Sequence, residues 1–171
     1  MGREIRMVPP HWEHPRFTED NALRREDVGE YRACYDEVYE DEADKWVADC
    51  VLWAEGKHPN QSERYRYYWE YASVPDEMTC RPRFTEEPTW FQAYQTVSEG
   101  TPTTPPFATR EELVDYLVEN GDFSHQRYPN DFQKPSRSAA TAFVNSGYAP
   151  SMMVVGGAVL DSYEAAELGT K

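Results

Sequence analysis

From Tyr31 to Ala54 the apolar residues Tyr31, Tyr35, Val38, Tyr39, Ala43, Trp46, Val47, Cys50 and Ala54 recur at three- and four-residue intervals. A stretch patterned in this way has one side for a core and one for water. The spacing predicts a single helix between Gly29 and Gly56, the strongest constraint in the chain. A shorter helix is expected from Ser62 to about Ala72, ended by Pro75, because the residue before a proline is pushed out of helical geometry. Residues 89–97, TWFQAYQTV, are aromatic and β-branched and read as a strand. Thr109, with Glu112 three residues on, is a capping box, and Gly121 is the stop. Ser136 to about Ser146 reads as a further helix with Ala139, Ala140, Phe143 and Val144 inward and Gly147 as its end. Met152-Met153-Val154-Val155, Gly156-Gly157 and Ala158-Val159-Leu160 form a hairpin signal. Its pairing with the strand near Trp90 would complete a small antiparallel sheet. The expected fold class is α+β, several helices on a small antiparallel sheet. Residues 1–28 read as an extended arm anchored by Trp12, and 29–171 as one domain.

Hydrophobic residues make up 39% of the 171, but aromatic ones 14%, so the core is expected to rest on a few large rings. The charge of −14, from 31 acids against 17 bases, opposes direct binding to nucleic acid or anionic membrane. It favours a basic partner. No apolar run approaches the roughly 20 residues of a membrane span, and the polar start has no export-type hydrophobic stretch, so a cytoplasmic setting is expected. On the predicted helix Cys34 and Cys50 stand about 24 Å apart. They cannot bond each other. A bridge to Cys80 stays geometrically open, but three buried thiols are the expectation.

Glu30, Glu37, Glu40, Asp41, Asp44 and Glu55 project from that helix opposite its apolar face. Glu37 with Asp41 and Glu40 with Asp44 are like-charge i,i+4 pairs, each destabilising by about 0.2–0.5 kcal/mol, and Lys45 is the one nearby offset. Such a stripe either imitates nucleic-acid phosphates toward a basic cleft or is a solvated face. Residues 64–71, RYRYYWEY, interleave arginine with aromatics. As a helix this segment turns Tyr65, Tyr68 and Trp69 to the core and leaves Tyr67 and Tyr71 as interface anchors. The usual nucleophile, P-loop, dinucleotide, zincin and calcium-loop motifs are missing from the sequence. His11 and His14 are spaced like ligands, but no second pair completes a site, so neither metal nor cofactor is expected. His125, beside Ser124 and near Asp122, is the candidate acid–base group of a small enzyme.

The segments REIRMVPPHWEHP from Arg3, TVSEGTPTTPPFATREELVDYLVENGDF from Thr96 and FVNSGYAPSMMVVGG from Phe143 resemble proteins of unassigned activity encoded by tailed bacteriophages and prophages. The resemblance covers most of the chain in patches and transfers no site residue. It implies expression in the cytoplasm of an infected bacterium. The function expected from it is an acidic inhibitory binding protein, of anti-CRISPR or anti-restriction type, that occludes a basic nucleic-acid-binding surface of a host complex. Glu30, Glu37, Glu40, Asp41 and Asp44 would carry its charge, and Tyr67 and Tyr71 would anchor it. A morphogenesis or structural accessory role is the alternative, and a small enzyme the third.

Overall fold

The computed structural model describes residues 2–96, 100–123, 132–150 and 152–168. In chain order the elements are β1 (Gly2–Val8), β2 (Tyr35–Val38), α1 (Tyr39–Ala54), α2 (Tyr68–Tyr71), β3 (Cys80–Arg81), β4 (Trp90–Gln95), β5 (Thr101–Pro102), α3 (Arg110–Asn120), β6 (Asp122–Phe123), β7 (Phe132–Gln133), α4 (Arg137–Ser146), β8 (Tyr148–Pro150), β9 (Met152–Val155), β10 (Ala158–Asp161) and α5 (Ser162–Leu168). The fold is α+β. It divides into two compact units, one of Met1–Ala33 with Phe84–Lys171 and one of Cys34–Arg83, rather than an arm and one body split at residue 28.

The first unit is built on an antiparallel sheet of order β5-β4-β1-β8. The N-terminal segment is thus an inner strand. Alternation along β1 gives the sheet two different faces. Ile5 is paired with Ala93 and packs, with Phe91, against buried Leu113, Val114 and Leu117 of α3, Ala140, Phe143 and Val144 of α4, and Tyr163 and Ala166 of α5. On the other face Glu4 pairs with Tyr94 and Arg6 with Gln92. Residues 9–33 fold back over that face. Trp12 donates its indole N–H to Tyr94 Oη at 3.2 Å and sets its ring edge-on against Phe84, so the expected anchor is in place. Gly2 sits at a close approach, where a Cβ would lie 2.9 Å from Tyr148 Oη and 3.0 Å from the Ala149 carbonyl, so any larger residue needs those neighbours to shift.

The helices of this unit start and stop where their local signals say. Thr109 and Glu112 form the reciprocal capping box of α3. Ser136 Oγ caps α4 at Ala139 N, and Gly147 ends it with φ of +78°, a conformation glycine adopts without strain. The hairpin forms across Gly156-Gly157 but as a separate two-stranded sheet. It does not pair with β4, whose neighbours are β1 and β5. Arg3 and Asp122, both buried, form an ion pair that ties β1 to β6. Burial pushes the Asp122 carboxyl upward against the pull of Arg3 and of the Tyr163 hydroxyl.

In the second unit β2 runs straight into α1 and pairs in parallel with β3. The predicted helix therefore begins ten residues late, at Tyr39 rather than near Gly29. The backbone groups upstream are committed elsewhere: Gly29 N donates to Phe17 O, Phe17 N to Glu30 O, Arg32 N to Pro15 O, and, within the second unit, Tyr35 N to Thr79 O. Cys34 thus lies off the helix, buried. Cys80 is also buried and Cys50 is half-buried, all three as free thiols. The second helix contracts to the single turn Tyr68–Tyr71, because Tyr67 is extended, with φ −125° and ψ 151°.

Asp122→Ala leaves the Arg3 charge buried without its partner and is expected to cost at least about 3 kcal/mol in urea unfolding. Replacing both by apolar residues should recover most of that loss. Thr109→Ala is expected to cost about 1 kcal/mol in the same assay.

Candidate functional site

The predicted acidic stripe is dispersed. Glu30 belongs to a turn of the first unit, and Glu37 lies on β2. Glu55 caps the C-terminal end of α1. Only Glu40, Asp41 and Asp44 share the helix, so Glu37 and Asp41 are not a helical i,i+4 pair. Arg83 offsets the remainder, 2.8 Å from Asp41 and 3.7 Å from Glu40. Lys45 lies 3.7 Å from Glu42 instead.

A different surface takes its place. At 100° per residue Glu40, Asp44, Val47 and Val51 fall within about 60° on α1. Val47 is 57% exposed and Val51 53%; Leu52 is exposed too but projects about 80° outside this sector. The outer face of α1 therefore changes along its length from carboxylate to aliphatic. Val47 and Ala54 were expected inward but both are exposed. The inward face carries Trp46 and Trp53, whose rings pack on Tyr68, with Tyr71 stacked on Trp53 at 5.2 Å.

That aromatic packing fixes the rest of the unit. His58 is buried against Trp53 and Tyr68. Its Nδ1 accepts from Asn60 N at 3.1 Å, which places the ring proton on Nε2, toward Asp49 at 3.7 Å. Tyr68 Oη donates to Asp49 Oδ2 at 3.2 Å. Burial first, and this bond second, hold its hydroxyl above the ordinary phenol range. Of the predicted anchors, Tyr71 is half in this cluster. Tyr67 stands outside it, stacked on Trp69 at 4.4 Å and 9° with the Arg66 guanidinium 5.1 Å from its ring. Extended geometry at Tyr67 lets residues two apart share a side, which a helix forbids. Trp69, expected in the core, is 55% exposed.

The first unit holds a cleft of about 600 Å³ over the polar face of its sheet, lined by Trp12, His14, Arg16, Tyr31, Pro105 and Pro106 among others. His14 Nε2 faces the Arg32 carbonyl at 2.8 Å, so it carries the proton. Nδ1 is then the acceptor nitrogen, and it lies 3.3 Å from Tyr94 Oη. Tyr94 donates its single hydroxyl proton to Gln92 Oε1 at 2.9 Å, and Gln92 Nε2 donates to Thr104 O at 2.7 Å. With Nε2 protonated, His14 Nδ1 and Gln92 Oε1 are two acceptors facing that one proton, so the hydroxyl serves one of them at a time. His11, at φ +59°, turns away and packs edge-on against Trp90. Among the described residues no group of three or more His, Cys, Asp or Glu side chains is disposed to hold a metal ion, and no helix is long and apolar enough to cross a membrane. His125 lies outside the described residues.

Comparison with protein-family models, curated proteins and solved structures finds no match.

Burial pushes the His14 pKa down to about 4; the bond to the Arg32 carbonyl resists, and Arg6, Arg32 and Arg16 add to the push. An unfolded chain binds this proton near 6.5 and the folded one only near 4. Stability from this group is thus complete above about pH 6.5 and is lost as pH falls toward 4, by about 3 kcal/mol. His14→Gln should flatten that part of the pH dependence, read as the difference in urea midpoints between pH 7 and pH 4.5.

Proposed function

We propose that the chain is an inhibitory binding protein that docks through the outer face of α1 and occludes a basic, nucleic-acid-binding surface of a bacterial host complex. The observation that carries this reading is the helix face on which Glu40 and Asp44 are followed by exposed Val47 and Val51. An aliphatic patch gives the affinity of association, and carboxylates at its edge steer a positively charged partner and reject a negative one. The stacked Tyr67–Trp69 pair with Arg66 adds residue types that dominate binding hot spots. The net charge of −14 favours a basic partner in solution. The resemblance to phage-encoded proteins supplies the setting, in which anti-CRISPR and anti-restriction activities are the corresponding biology. Compared with a ladder of phosphate-like carboxylates, apolar docking with an acidic edge accounts better for Arg83 lying on Glu40 and Asp41.

The test is capture of bacterial proteins by the tagged chain, with nuclease present, at low and high salt. Val47→Asp with Val51→Asp is expected to weaken capture of a nucleic-acid-binding complex at least tenfold, about 1.4 kcal/mol. Glu40→Lys with Asp44→Lys should reduce it less and flatten its salt dependence. Both pairs are exposed, so both variants should stay folded, the aspartate pair losing about 1 kcal/mol in unfolding free energy to its new like-charge neighbours. Unchanged capture by both variants would refute docking through α1. Recovery of virion proteins alone would favour the morphogenesis role.

A further inference from the structure

The cleft over the polar face of the sheet is unlike the rest of this acidic surface. Three arginines surround His14. Arg6 lies over the Tyr94 ring at 4.5 Å and pairs with Glu4 at 2.6 Å. Arg32 presents its carbonyl to His14. The Arg16 guanidinium lies over the Tyr31 ring, 3.7 Å from its centroid, with Nη1 donating to Gly29 O at 2.6 Å.

Arg16 has no carboxylate partner among the described residues, although the chain carries 31 acids. Its guanidinium is already immobilised by a ring and a backbone carbonyl, so it can bind an oxyanion at reduced entropic cost through its remaining N–H groups. The planar fork of donors suits two oxygens of one phosphate or carboxylate.

Trp12, Pro105 and Pro106 line the same cleft as Arg16 and supply it with apolar surface. Glu13 stands exposed among the lining residues and offers an acceptor to hydroxyl or amino donors. The volume, about 600 Å³, falls within the range of small-molecule sites.

We propose that this cleft is a binding site for a small anion bearing a planar ring and hydroxyl donors, of the nucleoside monophosphate class. Its anionic group pairs with Arg16, its ring lies on the Trp12 and Pro105–Pro106 wall, and its hydroxyl or amino groups meet Glu13. The site is independent of the α1 face and stands or falls separately from docking there.

Side-chain indole resonances in a ¹H–¹⁵N spectrum provide the readout, with the Trp12 signal assigned by Trp12→Phe. The probes are AMP, adenosine and inorganic phosphate. AMP is expected to move the Trp12 signal saturably. Adenosine and phosphate should each bind at least about tenfold more weakly, because each supplies only one of the two contacts. Arg16→Gln should lose about tenfold in AMP affinity, and Arg16→Lys, which keeps the charge without the fork, should fall between. Arg24→Gln, at an exposed arginine paired with Glu26, should bind as the parent does. Absence of a saturable shift with AMP, equal affinity for AMP and adenosine, or parental affinity in Arg16→Gln would each overturn the proposal.

Discussion

The alternation along β1 is the constraint on which the first unit depends. One face of this strand is apolar at Ile5 and joins the helices. The other presents Glu4 and Arg6 and cannot be left against hydrocarbon. The fold answers with two coverings of opposite chemistry. Three helices pack on one face, and a loop carrying Trp12, His14 and Arg32 meets the polar face group by group. Among the described residues, charge inside the apolar layer is confined to Arg3 with Asp122, where the two ions offset each other's desolvation. The modest aliphatic content is explained in the same way. Half of the sheet is held by rings and hydrogen bonds and has no need of leucine.

The second unit solves a related problem with even fewer aliphatic residues. Trp46, Trp53, Tyr68 and Tyr71 interlock with His58, and each ring brings large area to a small space. Placing so many large residues inside leaves valines for the outside of α1. An exposed aliphatic strip on a helix whose core side is complete makes no contribution to the unit's own packing. That is the physical reason to look for its purpose in association.

What could be read from the sequence was what short-range chemistry decides. The capping box at Thr109 and Glu112, the stops at Gly121 and Gly147, the inward set Ala139, Ala140, Phe143 and Val144, and the turn at Gly156-Gly157 all act within one or two turns of backbone. The errors arose where distant segments compete. Residues 29–38 match helical spacing, yet their donors and acceptors are taken by residues 15–17 and 79. At 100° per residue Val47 and Val51 fall beside Glu40 and Asp44 wherever the helix begins, so that relation was legible in the sequence and the inward placement of Val47 went against it. The hairpin could be placed but not its relation to β4, because that choice belongs to β1. The cleft was illegible for the same reason. Trp12, Arg16, Tyr31 and Pro105 share no pattern, and only the return of residues 9–33 over the sheet assembles them.

The position of β1 also sets an order on the birth of the molecule. Its partners are β4 and β8, with Gly2 paired to Pro150, so during synthesis β1 must wait for residues 90–95 and 148–150 before its sheet can close. The unit of Cys34–Arg83 joins its own strands and aromatic cluster within a continuous stretch, and its contacts become available much sooner. Long-range pairing delayed in this way slows folding and leaves an unpaired edge exposed in the meantime. Arg3, Glu4 and Arg6 make that waiting edge a charged one, which discourages strands of neighbouring nascent chains from pairing with it.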